Sequence, residues 1–394
     1  MSTWHRPILL ALGVTALLLA GGVAMKGWCL DDPSAHDLYL RWCYSDIPPL
    51  FHAENLASGA FPYFDHPVEY PVLTGMAMWV ASLFASTSAG FFAATAVVLF
   101  AAGLGTTWLL VREVGWPRVL AFAAGPKLVI SGFVNWDLLA VVAATAGLVA
   151  HRRGRHGWSG ALLGIGTATK LYPAILLVPI VIAEWRTDRR RGVETAAAAA
   201  GAWLVINLPF MLLARDGWWR FYELSRERAV DWDSLLFVLR QFGDVTLSTA
   251  EANVLTGGLF IAGSLVLLTI AARRDPPRAM HLVALPLLGW FLLTSKVWSS
   301  QFTLWMLPLL VLAFPGWRAW LLFVVADAAV FFTRAPYLAN FVGDGLEGAW
   351  PYEPFGVAVL VRAVITAVVI VLGWRRAVAE HGLEARSGLA FRPA

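Results

Sequence analysis

The sequence predicts an all-α polytopic membrane protein, a bundle of about twelve transmembrane helices with interfacial helices in the first loop outside the cytoplasm. Of its 394 residues, 59% are hydrophobic and 14% are charged, a balance far from that of soluble domains. Apolar runs of about 15 to 22 residues recur between short polar breaks, and about 20 residues cross a bilayer as a helix. Helices are expected because unpaired backbone groups are prohibitive in hydrocarbon.

Positive charge predicts how the bundle is oriented. The net charge is +4, but the basic residues lie in separate short loops and not in one stripe, which argues against nucleic acid as a partner. Cytoplasmic loops of membrane proteins carry the excess of Lys and Arg. Both termini are therefore expected inside a bacterial cytoplasmic membrane. The loops expected inside carry Arg6, Arg112 and Arg118, Arg152 to Arg155, Arg186 to Arg191, Arg273 to Arg278, Arg318, and Arg375 to Arg376.

The individual spans follow from hydropathy and from these loop charges. The first run, 7–25, resembles the core of a signal peptide, but no small-residue cleavage site follows it, so a retained anchor is expected. Two stretches must form helical hairpins: 119–150, turning at Asn135-Trp136-Asp137, and 158–184, turning near Lys170-Leu171-Tyr172-Pro173. The remaining spans are predicted at 88–111, 193–213, 250–271, 279–294, 301–314, 317–333 and 353–374.

One apolar segment, 71–86, does not fit a full crossing. If it crossed the membrane, the loop that carries Arg112 and Arg118 would lie outside, against the charge pattern of the other loops. A helix that dips into the membrane or lies at its interface is therefore expected here.

The whole chain, 1–394, is expected to form one transmembrane domain. The segment 26–70 is predicted to be the first outside loop, with an interfacial helix, and 334–352 a further outside segment. The segment 214–249 is predicted to be a second large outside loop. Its Trp, Arg and apolar residues recur at helical spacing, as in a helix that lies among lipid headgroups. Residues 375–394 are expected to be a cytoplasmic tail.

The first outside loop contains the candidate catalytic residue, Asp46. A short amphipathic helix is predicted directly after it, ending at Gly59 before Pro62-Tyr63. Such a helix would hold the carboxylate at the outer surface, where it could act as a general base for a hydroxyl. The alternative is an N-cap, since a carboxylate at a helix start is stabilised without any catalytic role. Asp31 and Asp32 stand beside Pro33 and are interpreted as a solvated turn.

Three of the four lysines lie in or beside apolar spans, at Lys127, Lys170 and Lys296. Charges at such places are costly and usually face a cavity or a partner. Lys170 and Lys296 are predicted at the outer ends of helices, and Lys127 is predicted partway along the first helix of the 119–150 hairpin. Ammonium groups that converge there would suit a lipid-linked phosphate. For Lys296 the alternative is snorkelling toward the headgroups.

Other polar residues at the predicted outer ends are more ambiguous. Asn135 and Asp137 could bind sugar hydroxyls or cap the following helix, and Gln301 and Arg334 share that ambiguity. Cys29 and Cys43 lie on the same oxidising side in this topology, so a disulfide between them is expected. A metal site is only weakly indicated. The one motif with suitable spacing is Asp231-Trp232-Asp233, and it lies in an Arg-rich segment.

Several of these motifs together resemble the membrane glycosyltransferases of the GT-C superfamily, and family 87 in particular. The similarity is strongest over 40–185. The matching pieces are Ser45-Asp46 with Gly59-x-x-Pro62-Tyr63, Glu69-Tyr70-Pro71, Asn135-Trp136-Asp137, Gly160-x-x-x-Gly164 with Lys170-Leu171-Tyr172-Pro173, and Lys296-x-x-x-x-Gln301-x-x-x-Trp305.

The resemblance implies a GT-C-like bundle that transfers a hexose, typically mannose, with inversion from a polyprenyl-phosphate sugar to a glycolipid or cell-envelope glycan. Asp46 occupies the position of the family's general base, and no metal or other cofactor is obligatory in that scheme. The expected partners are membrane lipids, the donor and the acceptor. Lys170, Lys296, Lys127 and Arg334 are expected to bind the donor phosphate. The residues expected to bind the sugar or acceptor are Asn135, Asp137, Glu69, Tyr70, Tyr63, Tyr172, Gln301 and His66.

A transporter or flippase of a lipid-linked sugar remains the main alternative, because it too would use intramembrane lysines and broken helices. The polar groups gather on one face and not at the midplane, which favours the enzyme. A scaffold without activity would not explain three lysines in apolar surroundings. The choice between mannose and arabinose stays open.

Overall fold

The computed structural model describes residues 5–30, 35–274, 281–341 and 347–387. These residues form α-helices with a few short 3-10 turns, and Pro62 and His66 form an isolated β-bridge. The predicted all-α class is confirmed. The aspartates of the predicted turn at 31–34, the basic loop residues 275–280 and the last residues of the tail, 388–394, lie outside the described residues.

The first half of the chain supplies the first loop and the two hairpins. Its helices are α1 His5–Gly27, α2 Ala35–Leu40, α3 Ile47–Ala53, α4 Val72–Ser82, α5 Ser88–Val114, α6 Trp116–Ala123, α7 Lys127–Ser131, α8 Asp137–Arg152, α9 His156–Thr169 and α10 Pro173–Thr187.

The second half of the chain contains both long and short helices. Its helices are α11 Arg189–Leu213, α12 Arg215–Glu227, α13 Leu235–Gly243, α14 Thr249–Arg274, α15 Ala284–Thr294, α16 Thr303–Leu312, α17 Trp317–Leu338 and α18 Tyr352–Ser387. The predicted tail therefore begins as a continuation of α18.

Within the described ranges, six helices are long and apolar enough to span a membrane: α1, α5, α11, α14, α17 and α18. The other expected crossings are shorter helices. In the two predicted hairpins, α8 has 16 residues, α9 has 14 and α10 has 15. At 1.5 Å per residue these arms are about 21 to 24 Å long, less than the roughly 30 Å hydrocarbon core. The hairpin tips can therefore lie below the level of the long helices.

Helix α4 has 11 residues. Its length of about 16 Å is roughly half of a bilayer crossing. The expectation that 71–86 does not span by itself agrees with this length. The Thr74 hydroxyl donates to the Thr169 carbonyl at 2.7 Å, so α4 braces the end of α9 that leads into Lys170.

Close packing of α9 on α11 sets the position of the second hairpin. A Cβ on Gly160 would overlap the backbone carbonyl of Thr195, and one on Gly164 would overlap that of Ala199. The two helices approach this closely only because both positions lack a side chain. The Gly-x-x-x-Gly pattern thus serves the packing that directs Lys170 toward the first loop.

The first loop is tied to α1 by a disulfide. Cys29 and Cys43 are joined, with their Cα atoms 6.1 Å apart. Trp42, beside the bridge, has a φ of 56°, in the left-handed region that few side chains adopt. Its carbonyl accepts a hydrogen bond from Lys26 Nζ at 3.3 Å. The bridge and this bond hold the segment that leads directly to Asp46.

Candidate active site

A cavity of about 960 Å³ lies where the first loop, the two hairpin tips and the second half of the chain meet. Elements distant in sequence contribute to its wall, among them the loops before α3 and α4, the ends of α9 and α15, and α17. The predicted site residues that line it are Asp46, Glu69, Tyr70, Asn135, Lys170, Tyr172, Lys296, Gln301 and Arg334.

Asp46 is held by both the first loop and the first hairpin tip. Its Oδ1 accepts from the Tyr44 hydroxyl at 2.8 Å, and its Oδ2 accepts from Asn135 Nδ2 at 3.0 Å. Its backbone N–H donates to the Val134 carbonyl at 2.9 Å. Asp46 stands at the N-cap position of α3, but its side chain makes no capping bond. The carboxylate is therefore directed to the cavity, and the N-cap alternative is not supported.

The hydroxyls around Asp46 stay protonated. The negative charge of Asp46, together with burial, raises the pKa of Tyr44, so this phenol remains a hydrogen-bond donor. Burial raises the pKa of Tyr70 as well. The Tyr70 hydroxyl accepts from Asn135 Nδ2 at 2.9 Å. Asp46 is thus oriented by two neutral hydrogen-bond donors, the Tyr44 hydroxyl and the Asn135 amide.

Lys170 lies at the tip of the second hairpin, where α9 ends and Pro173 starts α10. Its Nζ donates to Asn135 Oδ1 at 3.2 Å and lies 3.7 Å from Asp137 Oδ1. Because Asn135 also donates to Asp46, the two tips and the first loop form one hydrogen-bonded unit.

Asp137 occupies a different place from the one predicted. It is fully buried behind the cavity wall, and its Oδ1 accepts from Trp305 Nε1 at 2.7 Å. Asp137 therefore does not line the cavity, against the prediction that it binds sugar, and its carboxylate lies next to Lys170 inside the protein. The physical reason is helix geometry, since Asp137 begins α8 and points inward while Asn135, two residues earlier, lies on the tip. The N-cap residue of α8 is Trp136, whose backbone N–H donates to Asn135 Oδ1 at 2.6 Å.

An aromatic platform forms another part of the cavity wall. Tyr172 stacks on Trp305 with ring centroids 4.4 Å apart and planes at 6°. Phe302 stacks on the same indole at 4.0 Å, and Gln301 lines the cavity beside it. Flat aromatic faces with a nearby amide provide apolar and hydrogen-bonding surfaces of the kind found in small-ligand sites.

The two remaining predicted phosphate ligands that line the cavity are Lys296 and Arg334. Lys296 is 8% exposed, and its Nζ donates to the carbonyls of Arg226, at 3.2 Å, and Arg228. Among the described residues no carboxylate pairs with Lys296. Its ammonium is turned inward onto the chain, so snorkelling toward headgroups is not supported. Arg334 Nε donates to Asp233 Oδ1 at 3.2 Å.

The two aspartates of the Asp231-Trp232-Asp233 motif form ion pairs with arginines. Asp231 accepts from Arg228 at 3.2 Å and from the Ser299 hydroxyl at 3.3 Å. Asp233 is the partner of Arg334. Each carboxylate is thus paired with an arginine.

Lys127 does not line the main cavity, against the prediction that it binds the donor phosphate. Its Nζ lies 2.6 Å from Asp327 Oδ2, and both side chains are buried. The ion pair joins α7 to α17. The sequence identified a costly buried charge, but its partner lies far along the chain.

Tyr63 and His66 also lie outside the cavity, against the prediction. The Tyr63 hydroxyl donates to the Tyr70 carbonyl at 2.9 Å, so this side chain fixes the backbone beside the site. His66 Nε2 lies 3.4 Å from Glu54 Oε2. Burial raises the pKa of Glu54 to about 7. Both residues support the first loop.

Two residues near the site were missed from the sequence. Tyr44 lies two positions before Asp46, and its aromatic character next to the candidate base was the available signal. Lys26 is 1% exposed, with its Nζ bonded to the Trp42 carbonyl and 5.4 Å from the Phe331 ring centroid. It stands at the end of an apolar run, where a lysine is ordinarily a flanking residue.

Lys127→Met is expected to lower the free energy of unfolding by about 3–5 kcal/mol, because Asp327 would be left as an unpaired buried charge. Lys127→Met/Asp327→Leu should recover much of the loss, and its transfer activity per folded molecule should equal that of wild type. Thermal denaturation in detergent, followed by tryptophan fluorescence, measures the stability. A loss of activity without a loss of stability would restore Lys127 to the site.

Comparison with known proteins gives three findings. The chain matches the model of glycosyltransferase family 87 over residues 69–296. The second finding is a relative from Mycobacterium tuberculosis, a polyprenol-phosphate-mannose-dependent alpha-(1-2)-phosphatidylinositol mannoside mannosyltransferase. It is 33% identical over 177 residues, and the match covers 40% of this chain and 37% of that protein. The chain thus matches well under half the length of this relative.

Two crystal structures of ArnT from Cupriavidus metallidurans are similar in shape at low identity. The one bound to undecaprenyl phosphate has a TM-score of 0.46 at 16% identity, over 95% of this chain and 79% of ArnT. The apo structure has a TM-score of 0.49 at 17% identity, over 96% and 79%. The family match, in contrast, covers more than half of the chain and includes Glu69, Tyr70, Asn135, Lys170 and Lys296. This chain belongs to glycosyltransferase family 87.

Proposed function

We propose that this protein is an inverting glycosyltransferase that moves mannose from a polyprenyl-phosphate donor to a glycolipid or cell-envelope glycan on the outer face of the membrane. One observation carries the proposal: the Asp46 carboxylate lines the same cavity as Lys170, Lys296 and Arg334. A base for an acceptor hydroxyl and cations for a departing phosphate are the two requirements of this reaction. The mannosyltransferase relative, named for a polyprenol-phosphate-mannose donor, supports the choice of sugar.

The proposed reaction is a single displacement. Asp46 accepts the proton of the acceptor hydroxyl, whose oxygen attacks the anomeric carbon from the side opposite the phosphate. The bond from that carbon to the phosphate oxygen breaks, and its electron pair leaves with the polyprenyl phosphate, so configuration inverts. Lys296 and Arg334 would stabilise the charge that develops on the leaving phosphate.

The proposal needs no general acid and no obligatory metal. Phosphate is already a good leaving group, and side-chain cations at the cavity wall can supply positive charge there. Lys170 would act nearer the base, because it shares Asn135 with Asp46. The Tyr172–Trp305 stack and Gln301 would contact the sugar or the acceptor.

A transfer assay tests the function. Purified protein in lipid vesicles is given polyprenyl-phosphate mannose, labelled in the sugar, and a phosphatidylinositol mannoside acceptor. Label is expected in the acceptor, with free polyprenyl phosphate released in equal amount. Movement of intact donor across the vesicle without transfer would instead support a flippase.

The proposed orientation of the chain in the membrane is the one that the sequence predicts. Residues 1–394 form one domain, both termini and the tail lie inside, and the segments 26–70 and 214–249 lie outside. Single cysteines test it, because Cys29 and Cys43 are joined. Ala57→Cys lies in the first loop and Arg190→Cys at the start of α11, both exposed. A membrane-impermeant thiol reagent on intact cells should label position 57 and not 190. The reverse pattern would place the cavity on the cytoplasmic side.

A further inference from the structure

A chain of buried charges extends from the cavity wall into the bundle. Arg334 lines the cavity and donates to Asp233, which is fully buried. Arg362 of α18, also fully buried, donates through one terminal nitrogen to the Asp233 backbone carbonyl at 2.8 Å. Its guanidinium lies 3.9 Å from the Trp298 ring centroid. Arg362 therefore fixes both the backbone of Asp233 and the loop that bears Trp298.

The inner end of this chain is the ion pair of Lys127 with Asp327, at 2.6 Å. Arg362 lies 3.9 Å from the same Asp327 carboxylate, beyond hydrogen-bond distance. The pair neutralises itself, so the charge of Arg362 is only partly compensated by Asp327.

The charges of this group do not balance. Lys127, Arg362 and Arg334 bring three positive charges, and Asp327 and Asp233 bring two negative ones. The neighbouring Arg228–Asp231 pair is neutral by itself. An excess positive charge in a low-dielectric interior favours a nearby anion. Arg334 is the member of the group that reaches the cavity, so an anion would bind there.

The geometry at Arg334 suits a phosphate. Asp233 accepts a hydrogen bond from Nε of the guanidinium. This leaves both terminal nitrogens able to bind two oxygens of one phosphate. A guanidinium gives this two-point contact only if its plane is held in place. Asp233 holds it, and Asp233 is in turn held by Arg362.

We propose that Asp233 and Arg362 are positioning residues that orient Arg334 for the phosphate of the lipid donor. The inference rests on the proposed function and deepens it. Neither residue contacts the ligand, and each acts through Arg334. Arg362 also places positive charge behind the phosphate. A lysine at this position would carry the same charge but could not make the same contacts with Asp233 and Trp298.

The test is a double-mutant cycle on ligand binding, with undecaprenyl phosphate as the probe and full-length protein in nanodiscs. Arg334→Met and Arg362→Met should each raise the Kd about tenfold, the usual effect of losing a hydrogen bond to a charged group. Because Arg362 acts through Arg334, the double variant should bind no more weakly than Arg334→Met alone. Full additivity of the two losses would overturn the proposal.

Steady-state transfer separates positioning from general damage to the fold. Arg362→Met should raise KM for the donor and leave KM for the acceptor unchanged, with Arg362→Lys intermediate. Lys127→Met/Asp327→Leu is the matched control, because it removes a neutral buried ion pair from the same group without touching Asp233. It should change neither KM. An equal effect of this double variant and of Arg362→Met on donor KM would contradict the proposal.

The outcomes distinguish this inference from the proposed function. If the wild-type protein neither binds the probe nor transfers mannose, both are wrong. If it does both, and Arg362→Met binds within about twofold of wild type, only the positioning role is wrong. Should Arg362→Met fail to fold, Asp233→Asn enters the same cycle. This variant keeps the side-chain shape and removes the charge, and a Kd equal to that of wild type would overturn the inference.

Discussion

Asp46→Asn is expected to slow mannosyl transfer about 10²–10⁴-fold, the usual contribution of a general base. The amide has nearly the shape of the carboxylate, so the loop and α3 should keep their positions, but it cannot take a proton from the acceptor. Binding of polyprenyl phosphate should be little affected, because the cations lie elsewhere on the cavity wall. The measurements are single-turnover transfer and equilibrium binding on the same preparation.

The matched control is Tyr44→Phe, which removes one hydrogen bond to Asp46 and keeps the base. Its transfer rate should fall by about tenfold, the low end of the roughly 1.5–3 kcal/mol that a hydrogen bond to a charged group contributes, because Asn135 still holds the carboxylate. If Asp46→Asn transfers mannose as fast as Tyr44→Phe does, the base is another residue. Glu69 would then be the next candidate, because it is the other acidic residue that lines the cavity.

Lys296→Gln is expected to lower kcat/KM for the donor about 10²-fold, the effect of losing about 2.7 kcal/mol of phosphate stabilisation. The glutamine removes the charge and retains N–H donors of the kind that serve the carbonyls of Arg226 and Arg228. Lys296 is chosen because no described carboxylate pairs with it, whereas Lys170 has Asp137 and Arg334 has Asp233.

Kinetics with donor and acceptor varied separately measure this effect. Lys296→Arg retains the positive charge and should recover part of the activity. Lys127→Met/Asp327→Leu is the matched control, because it removes a buried lysine outside the cavity together with its countercharge and should not change kcat/KM. Equal kinetic effects at 296 and 127 would show that the loss comes from general destabilisation.

Much of the site could be predicted from local sequence. Lys170 was recognisable because a charge in an apolar run meets a Tyr-Pro break, and the break does end α9. Asp46 was recognisable from its loop and the helix that follows. Both inferences depend on residues a few positions away, and both side chains line the cavity.

Contacts across the bundle were not predictable in the same way. Lys127 and Lys170 stand in similar apolar surroundings near prolines, yet one pairs with Asp327 and the other reaches the cavity. Nothing within ten or so residues of Lys127 indicates a carboxylate on α17. The contacts of Asp233 with Arg334 and of Arg362 with its carbonyl likewise join segments about a hundred or more residues apart.

The sequence by itself determined the all-helical membrane class, the two hairpins and the placement of Asp46, Asn135 and Lys170 at chain turns. It could do so because hydropathy, turn residues and proline breaks act locally. Only the tertiary structure decided which buried charges face the cavity and which pair behind it, as with Asn135 and Asp137. The reason is physical: a helix turns neighbouring side chains to different sides, and the partner that neutralises a buried charge comes from a distant helix.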